Sequence, residues 1–442
     1  MTCIKYSPCY RLVKKSLILK AIYPRLTTAK SEQTASPRPG GSGRGTFAAA
    51  PHRMLFFGGA LQTLLVMGFW LAELLGRAET WVVPSPVIAA TWVHAYLMLF
   101  GLFPLFIFGF LFTVYPRWMG GETVPARRYI TTSLLLTTGM ILFYAGMYVS
   151  RLILALGLIL QLAGWGVALY SLFAVYRRAP RHGSHETLLN LALAAGMAGV
   201  ACFLAGVLFH QPMAFLLARE LGLWLFLMPV VFLVAHRMIP FFSQSALISY
   251  IMVRPAWTPP LMIVCVVAHV LFDLAGLSAW RFLADAPLAL AALHHSWVWQ
   301  FRRSFHARLL AMLHIAFLWL GIGMTLYTAQ SLVLLITGTD YFGRMPLHAL
   351  GIGFFTGMVV AMASRVTLGH SGRALEANDL TWGVLFGVNI AAMLRIVAEF
   401  APGTANGMLN ALAASVWLLS FLLWAWLYAP MYLRRRVDGK PG

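Results

Sequence analysis

Charge is what this chain has least of. Of its 442 residues, 13 are Asp or Glu and 33 are Lys or Arg, so 10% carry charge, against roughly 25% in soluble domains. That scarcity excludes a water-soluble globular enzyme. Cysteine is scarce as well: Cys3, Cys9, Cys202 and Cys265 form no Cys-x-x-Cys pair, which argues against a disulfide framework or a thiolate zinc site. The basic start of the chain holds no apolar stretch of signal-peptide length, which argues against cleavage for secretion. What is present instead is apolar. Hydrophobic residues make up 60% of the chain, with 30 Phe, 15 Trp and 21 Met, and the mean hydropathy is +0.77. The shortage of acids leaves a net charge of +20. In a polar chain such an excess points to nucleic acid, but here the placement of the charges assigns it elsewhere.

Runs of about 20 apolar residues, the length that crosses a hydrocarbon core, fall at 54–75, 89–115, 129–149, 152–176, 187–209, 214–235, 258–278, 283–300, 309–335, 346–366, 381–400 and 406–429. The chain therefore reads as an all-α polytopic membrane protein with about 12 transmembrane helices. The eighth run is the weakest, broken by His294, His295, Trp297 and Trp299. No convincing internal repeat is visible, and no soluble domain fits between the runs. With the runs taken in order, 27 Lys and Arg fall on the side of the N-terminus and 5 on the opposite side, while Arg395 lies inside a run. Under the positive-inside rule both termini are cytoplasmic. The net charge thus marks orientation, and the partner it implies is a lipid bilayer, with no nucleic acid. Three stretches follow: a basic N-terminal tail over 1–51 of disordered composition, a single twelve-helix transmembrane domain over 52–430, and a basic C-terminal tail over 431–442.

Against so apolar a background, 13 histidines require an explanation, because ionisable groups within spans are costly and usually face a site. Helix rise sorts them into two layers. Near the outer face lie His94, His210 and His348, with Asp273, Arg395 and Glu399. Near the inner face lie His236, His306, His314, Arg365 and His370. Imidazole is the usual axial ligand of haem and a good ligand for copper. For any one of these residues the plain alternative is an interhelical hydrogen bond. His269 and Asp273 share a helix face at i,i+4, so the carboxylate either orients a ligating imidazole or forms a simple buried pair. Arg395 and Glu399 share a face in the same way, as an ion pair or with the arginine available to an acidic group. His182 and His185 sit in a basic loop and carry no expected role. Adjacent His294 and His295 invite comparison with the twelve-span haem–copper oxidases. No His-x-His and no His-Pro-Glu-Val-Tyr run occurs, which excludes a respiratory oxidase.

Several stretches resemble the NnrS family of bacterial haem- and copper-containing membrane proteins. The strongest is HALGIGFFTGMVVAMASRVTLGHSGR, from His348 to Arg373, which is similar to the family's Gly-rich span followed by Arg-x-x-Leu-Gly-His-(Ser/Thr)-Gly-Arg. LLAMLHIAFLWLGIG carries His314 and Trp319 like the family's Leu-His-x-x-x-x-Trp. HAYLMLFGLFPLFIFGFLFTVYPRW, from His94 to Trp118, HRMIPFFSQSAL, from His236, and PHRMLFF, from Pro51, resemble further family elements. Two departures stand out. Tyr96 and Leu97 occupy the positions where many members carry a His-Glu pair, and His236 replaces a glycine.

The resemblance implies a protein of the bacterial cytoplasmic (inner) membrane that binds haem and copper. It implies a role in the response to nitric oxide and nitrosative stress, linked to denitrification, with nitric oxide or another small diatomic molecule as a ligand. The positions carried over are His94, Arg237, His314, His348, Arg365, His370, Arg373 and Arg395. His94 with His348 would form an outer haem or metal site, and His314 with His370 an inner one, with the arginines pairing propionates. Met98, Met358 and Met362 are thioethers near these positions, suited to Cu(I) or to plain packing. The alternatives are a multi-span transporter or metal-handling permease without haem, and a metal-free membrane protein whose histidines only join helices.

Overall fold

The computed structural model describes residues 45–78, 81–181 and 183–439, and among these every regular element is helical. Twelve principal helices follow one another: α1 (Pro51–Arg77), α2 (Ala90–Met119), α3 (Ala126–Val149), α4 (Arg151–Arg178), α5 (Ser184–Phe209), α6 (Pro212–Ala246), α7 (Thr258–Leu274), α8 (Phe282–Val298), α9 (Arg308–Thr337), α10 (Met345–Ser371), α11 (Asp379–Ala398) and α12 (Gly403–Leu433). Ten of them are long and apolar enough to cross a membrane; α7 and α8 stand at the seventh and eighth expected runs but have 17 residues each. At 1.5 Å per residue these two reach about 25 Å, short of a hydrocarbon core of about 30 Å.

The expected tail over 1–51 lies outside the described residues as far as position 44. From Thr46 the chain is already packed: Phe47 meets Phe57 edge-on at 5.4 Å, and the Tyr129 hydroxyl donates to the Ala48 carbonyl at 2.8 Å. Local sequence sets the helix ends. Pro51 opens α1, where its missing N–H costs nothing. Ser150 Oγ accepts from the Leu152 amide to start α4, and Asn378 does the same for Thr381 at α11. Close helix contacts use small residues. Gly139 of α3 and Gly157 of α4 are apposed so tightly that a Cβ on either would come 2.8 Å from the other's carbonyl oxygen.

Helices α2, α6, α9 and α10 are the most enclosed, whereas α11 and α12 face outward most. α12 packs back along α1, closing the chain on itself, while α2 touches both α6 and α10. The closure is fixed at one end of the bundle by Arg53, whose guanidinium donates to the carbonyls of Tyr432 at 3.1 Å and Arg434 at 2.7 Å. That end is called terminal below, and the opposite end distal.

Three helices share an irregularity. α2 is π-helical over Leu97–Leu102, α6 over Leu221–Leu227 and α10 over Ala349–Thr356. In α2 and α6 the wide turn ends two residues before Pro104 and Pro229, where a missing N–H and a ring clash forbid the regular pitch. In α10, which has no proline there, Thr356 Oγ1 donates back to the Gly351 carbonyl at 2.8 Å and supports the wide turn. The second, sixth and tenth helices are thus inner helices with the same break, a period of four that the sequence did not reveal.

Candidate functional site

The π segment of α2 follows directly on the turn that carries His94, and that of α10 on the turn that carries His348. Both histidines occupy the first turns of their helices at the distal end, and both line one cavity of about 680 Å³. Its walls come from five principal directions: Met67 and Trp70 of α1, Met98 and Phe103 of α2, Phe355 of α10, Arg395 and Glu399 of α11, and Asn406, Asn410 and Trp417 of α12. Arg219 of α6 and Arg344, just before α10, close the rim.

The two imidazoles are held differently. His348 Nδ1 lies 2.9 Å from the Arg344 carbonyl, one turn back, so Nδ1 carries the hydrogen and Nε2 is left as a bare donor atom. His94 stacks on Trp70 with ring centres 4.1 Å apart, and the Arg77 guanidinium covers Trp70 at 5.0 Å. Several buried polar atoms on cavity residues have no hydrogen-bond partner: His94 Nδ1, Arg395 Nη1, Asn410 Oδ1 and Trp417 Nε1. Such atoms are costly in a dry interior. Arg395 forms the ion pair, with Nη2 2.5 Å from Glu399, while its buried Nη1 has no hydrogen-bond partner.

The remaining expected site residues are dispersed toward the terminal end. His314 Nε2 is 3.1 Å from Ser243 Oγ, whereas the His370 ring lies 4.5 Å from that of His52; each histidine has its own neighbour. Arg365 covers the Phe242 ring at 3.9 Å. Arg237 forms an ion pair with Glu186 and covers Trp118 at 4.5 Å. Arg373 has a buried Nη1 with no hydrogen-bond partner. Arg436 donates to the His370 carbonyl at 3.3 Å and is held charged, above its ordinary pKa, by Asp438. Met98 lines the distal cavity beside His94, while Met358 and Met362 are buried in the core.

Some residues that sequence reasoning passed over take part. His185, expected to have no role, places Nε2 3.1 Å from His236 Nδ1, and His182 lies outside the described residues. His52 lies just ahead of the first expected apolar run, which starts at 54. His269 has a nearer carboxylate than Asp273: its Nδ1 is 2.6 Å from Asp285 Oδ1, and its Nε2 is 3.9 Å from Asp273 Oδ2. Asp285 is the first acid of α8, and only an acid in the opening turn of the weakest apolar run signalled it. His294 and His295 are 5.8 Å apart at 80°, and only His295 is buried.

The distal cavity fits a haem. It offers two imidazoles from facing helices, mainly apolar and aromatic walls, and arginines at the rim able to pair carboxylates. For copper, no three His, Cys, Asp or Glu side chains converge among the described residues, whereas the thioethers of Met67 and Met98 line the cavity that holds His94. In comparison with known proteins, a family described as "NnrS protein" matches residues 46–436, nearly the whole chain. No curated protein matches it.

Proposed function

The chain belongs to the NnrS family, membrane proteins related to the response to nitric oxide, and from that premise we propose that it is a haem-binding protein of the bacterial cytoplasmic membrane. Its role is in tolerance of nitric oxide and nitrosative stress, in cells that denitrify. The observation that carries this reading is the single distal cavity lined by both His94 and His348. With about 12 transmembrane helices and both termini in the cytoplasm, the cavity faces the outer side of the membrane.

In this reading His348 Nε2 and the His94 imidazole would hold the haem, and Arg344 and Arg395 would pair its carboxylates. A bound haem would supply reversible electron uptake. The protein's own contributions are distinct. The Arg344 carbonyl fixes the His348 tautomer, Trp70 and Arg77 hold the plane of His94, and Phe103, Phe355 and Trp417 exclude water. The family is associated with copper as well, but among the described residues no three His, Cys, Asp or Glu side chains come together to hold it. In the transporter reading, helices are unwound at corresponding points of two halves. The π segments leave α2, α6 and α10 continuous and recur every fourth helix, which favours the haem reading.

The test is an optical spectrum with metal analysis of protein purified in detergent after haem-replete expression. A Soret band is expected, lost or strongly reduced in His94→Ala and in His348→Ala and retained in His314→Ala. A colourless preparation, or a band indifferent to both distal substitutions, would overturn the proposal.

A further inference from the structure

Beside the distal cavity, and separated from it by a wall that Arg219, Leu223, Arg344 and Leu347 share, lies a second cavity of about 470 Å³. It is polar and centres on His269 of α7, a residue outside the family motifs. We propose that His269 and Asp285 form a buried proton-exchanging pair, which takes protons from and returns them to water on the distal side of the membrane.

Three features carry the proposal. First, both members are sealed: the side chains are 1% and 0% exposed, and Asp285 Oδ1 accepts from His269 Nδ1 at 2.6 Å. That bond points Nε2 into the cavity, where it has no hydrogen-bond partner, and the nearest carboxylate oxygen is Asp273 Oδ2 at 3.9 Å. Two acceptor atoms facing each other at that distance need a hydrogen or a water between them, and the cavity has room for several waters.

Second, the local carboxylates outnumber the local guanidinium groups by one. The carboxylates are Glu220 of α6, Asp273 of α7, Asp285 of α8 and Asp340 before α10. The guanidinium groups are Arg219, Arg281 and Arg344. Arg219 pairs with Glu220 Oε1 at 2.5 Å and Arg281 with Asp273 Oδ1 at 3.0 Å. Asp340 instead accepts from Gln330 Nε2 and from the amides of Phe342 and Gly343. Asp285 has His269 alone, and its Oδ2 and Glu220 Oε2 are buried without partners. A carboxylate buried with no cation is strongly disfavoured, so the imidazolium is the natural fourth positive charge.

Third, the aromatic surroundings suit a cation that comes and goes. Trp224 of α6 lies against the His269 ring at 3.7 Å, and Tyr327 of α9 presents an edge at 5.2 Å. Cys265, one turn earlier on α7, is in electrostatic reach of Asp285 and is the remaining titratable group near the pair. Lining residues Asp340, Gly343 and Arg344 belong to an exposed connecting segment, which gives water access to the cavity. Only an N–H bond at Nε2 forms and breaks, with water as donor and acceptor.

The experiment is solid-state NMR on the full chain in lipid bilayers, with nitrogen-15 in histidine and carbon-13 in aspartate. Among the described residues His269 alone has an imidazole nitrogen bonded to an aspartate carboxylate, so the dipolar coupling identifies it without a variant. At neutral pH Nε2 should give a hydrogen-bearing signal that exchanges with water, and Asp285→Asn should make it bare. If Asp285→Asn fails to fold, Asp273→Asn is used, with a partial loss of the hydrogen-bearing signal expected. A bare Nε2 in the unaltered chain overturns the proposal, as does a hydrogen-bearing Nε2 that does not exchange with water or a metal-shifted signal that reverts with chelator. An unchanged Nε2 signal in the folded variant overturns it too. None of these readouts depends on haem, so this proposal and the haem reading fail separately.

Discussion

Gly353, within the π segment of α10, lies flat under the Trp319 indole, and a Cβ there would overlap Trp319 Cδ2. The indole cannot swing away freely, because its Nε1–H donates to Asn389 Oδ1 at 2.7 Å and so fixes α9 to α11 across α10. Gly353→Ala should therefore cost about 1–3 kcal/mol, read as a lowered thermal midpoint in detergent. Gly351→Ala, with open space at its Cβ, should cost little and serves as the comparison. At this scale the sequence placed residues by depth and was poor at pairing them. His94 and His348 were legible as one level because helix rise alone sets depth. The partner of His269 was not, because i,i+4 spacing named Asp273 while the shorter bond comes from another helix. The pairing of His370 with His52 depended on where α1 begins, at Pro51, whereas the first apolar run starts only at 54.

The π segments belong to the scale of elements. An added residue per turn rotates everything before it relative to everything after it, by about 100° for each residue removed. Deleting Gly351 should return the start of α10 toward regular pitch and swing His348 away from His94. The expected result is a protein that still inserts and keeps its helical circular dichroism but has lost the Soret band. A band of unchanged intensity in that variant would show that the wide turn does not aim the histidine. The approximate bounds of the ten helices long enough to span were legible from apolar runs, since backbone satisfaction in lipid leaves few alternatives to helices. The period of four among α2, α6 and α10 was not legible. It is carried by backbone geometry, reached through proline in two cases and through threonine and glycine in the third, so no common string marks it.

For the whole molecule, the distribution of basic residues predicts a direction of insertion. A reporter that fluoresces only in the cytoplasm should be active when fused after Leu433. An alkaline phosphatase fused within the segment between α9 and α10 should be active on the outer side. The opposite pair of results would invert the protein and place the His94 and His348 cavity on the cytoplasmic side. The net charge of +20 is then an address written mainly on one face.

The clasp at Arg53 has a consequence in time. It joins residues 379 and 381 positions apart, so the first helix to leave the ribosome waits for the last. At about 5–20 residues per second that delay is roughly 20–75 s. Throughout it the distal cavity lacks the wall that Asn406, Asn410 and Trp417 contribute. Until α12 arrives, the cavity stands open on that side to any ligand taken up during synthesis.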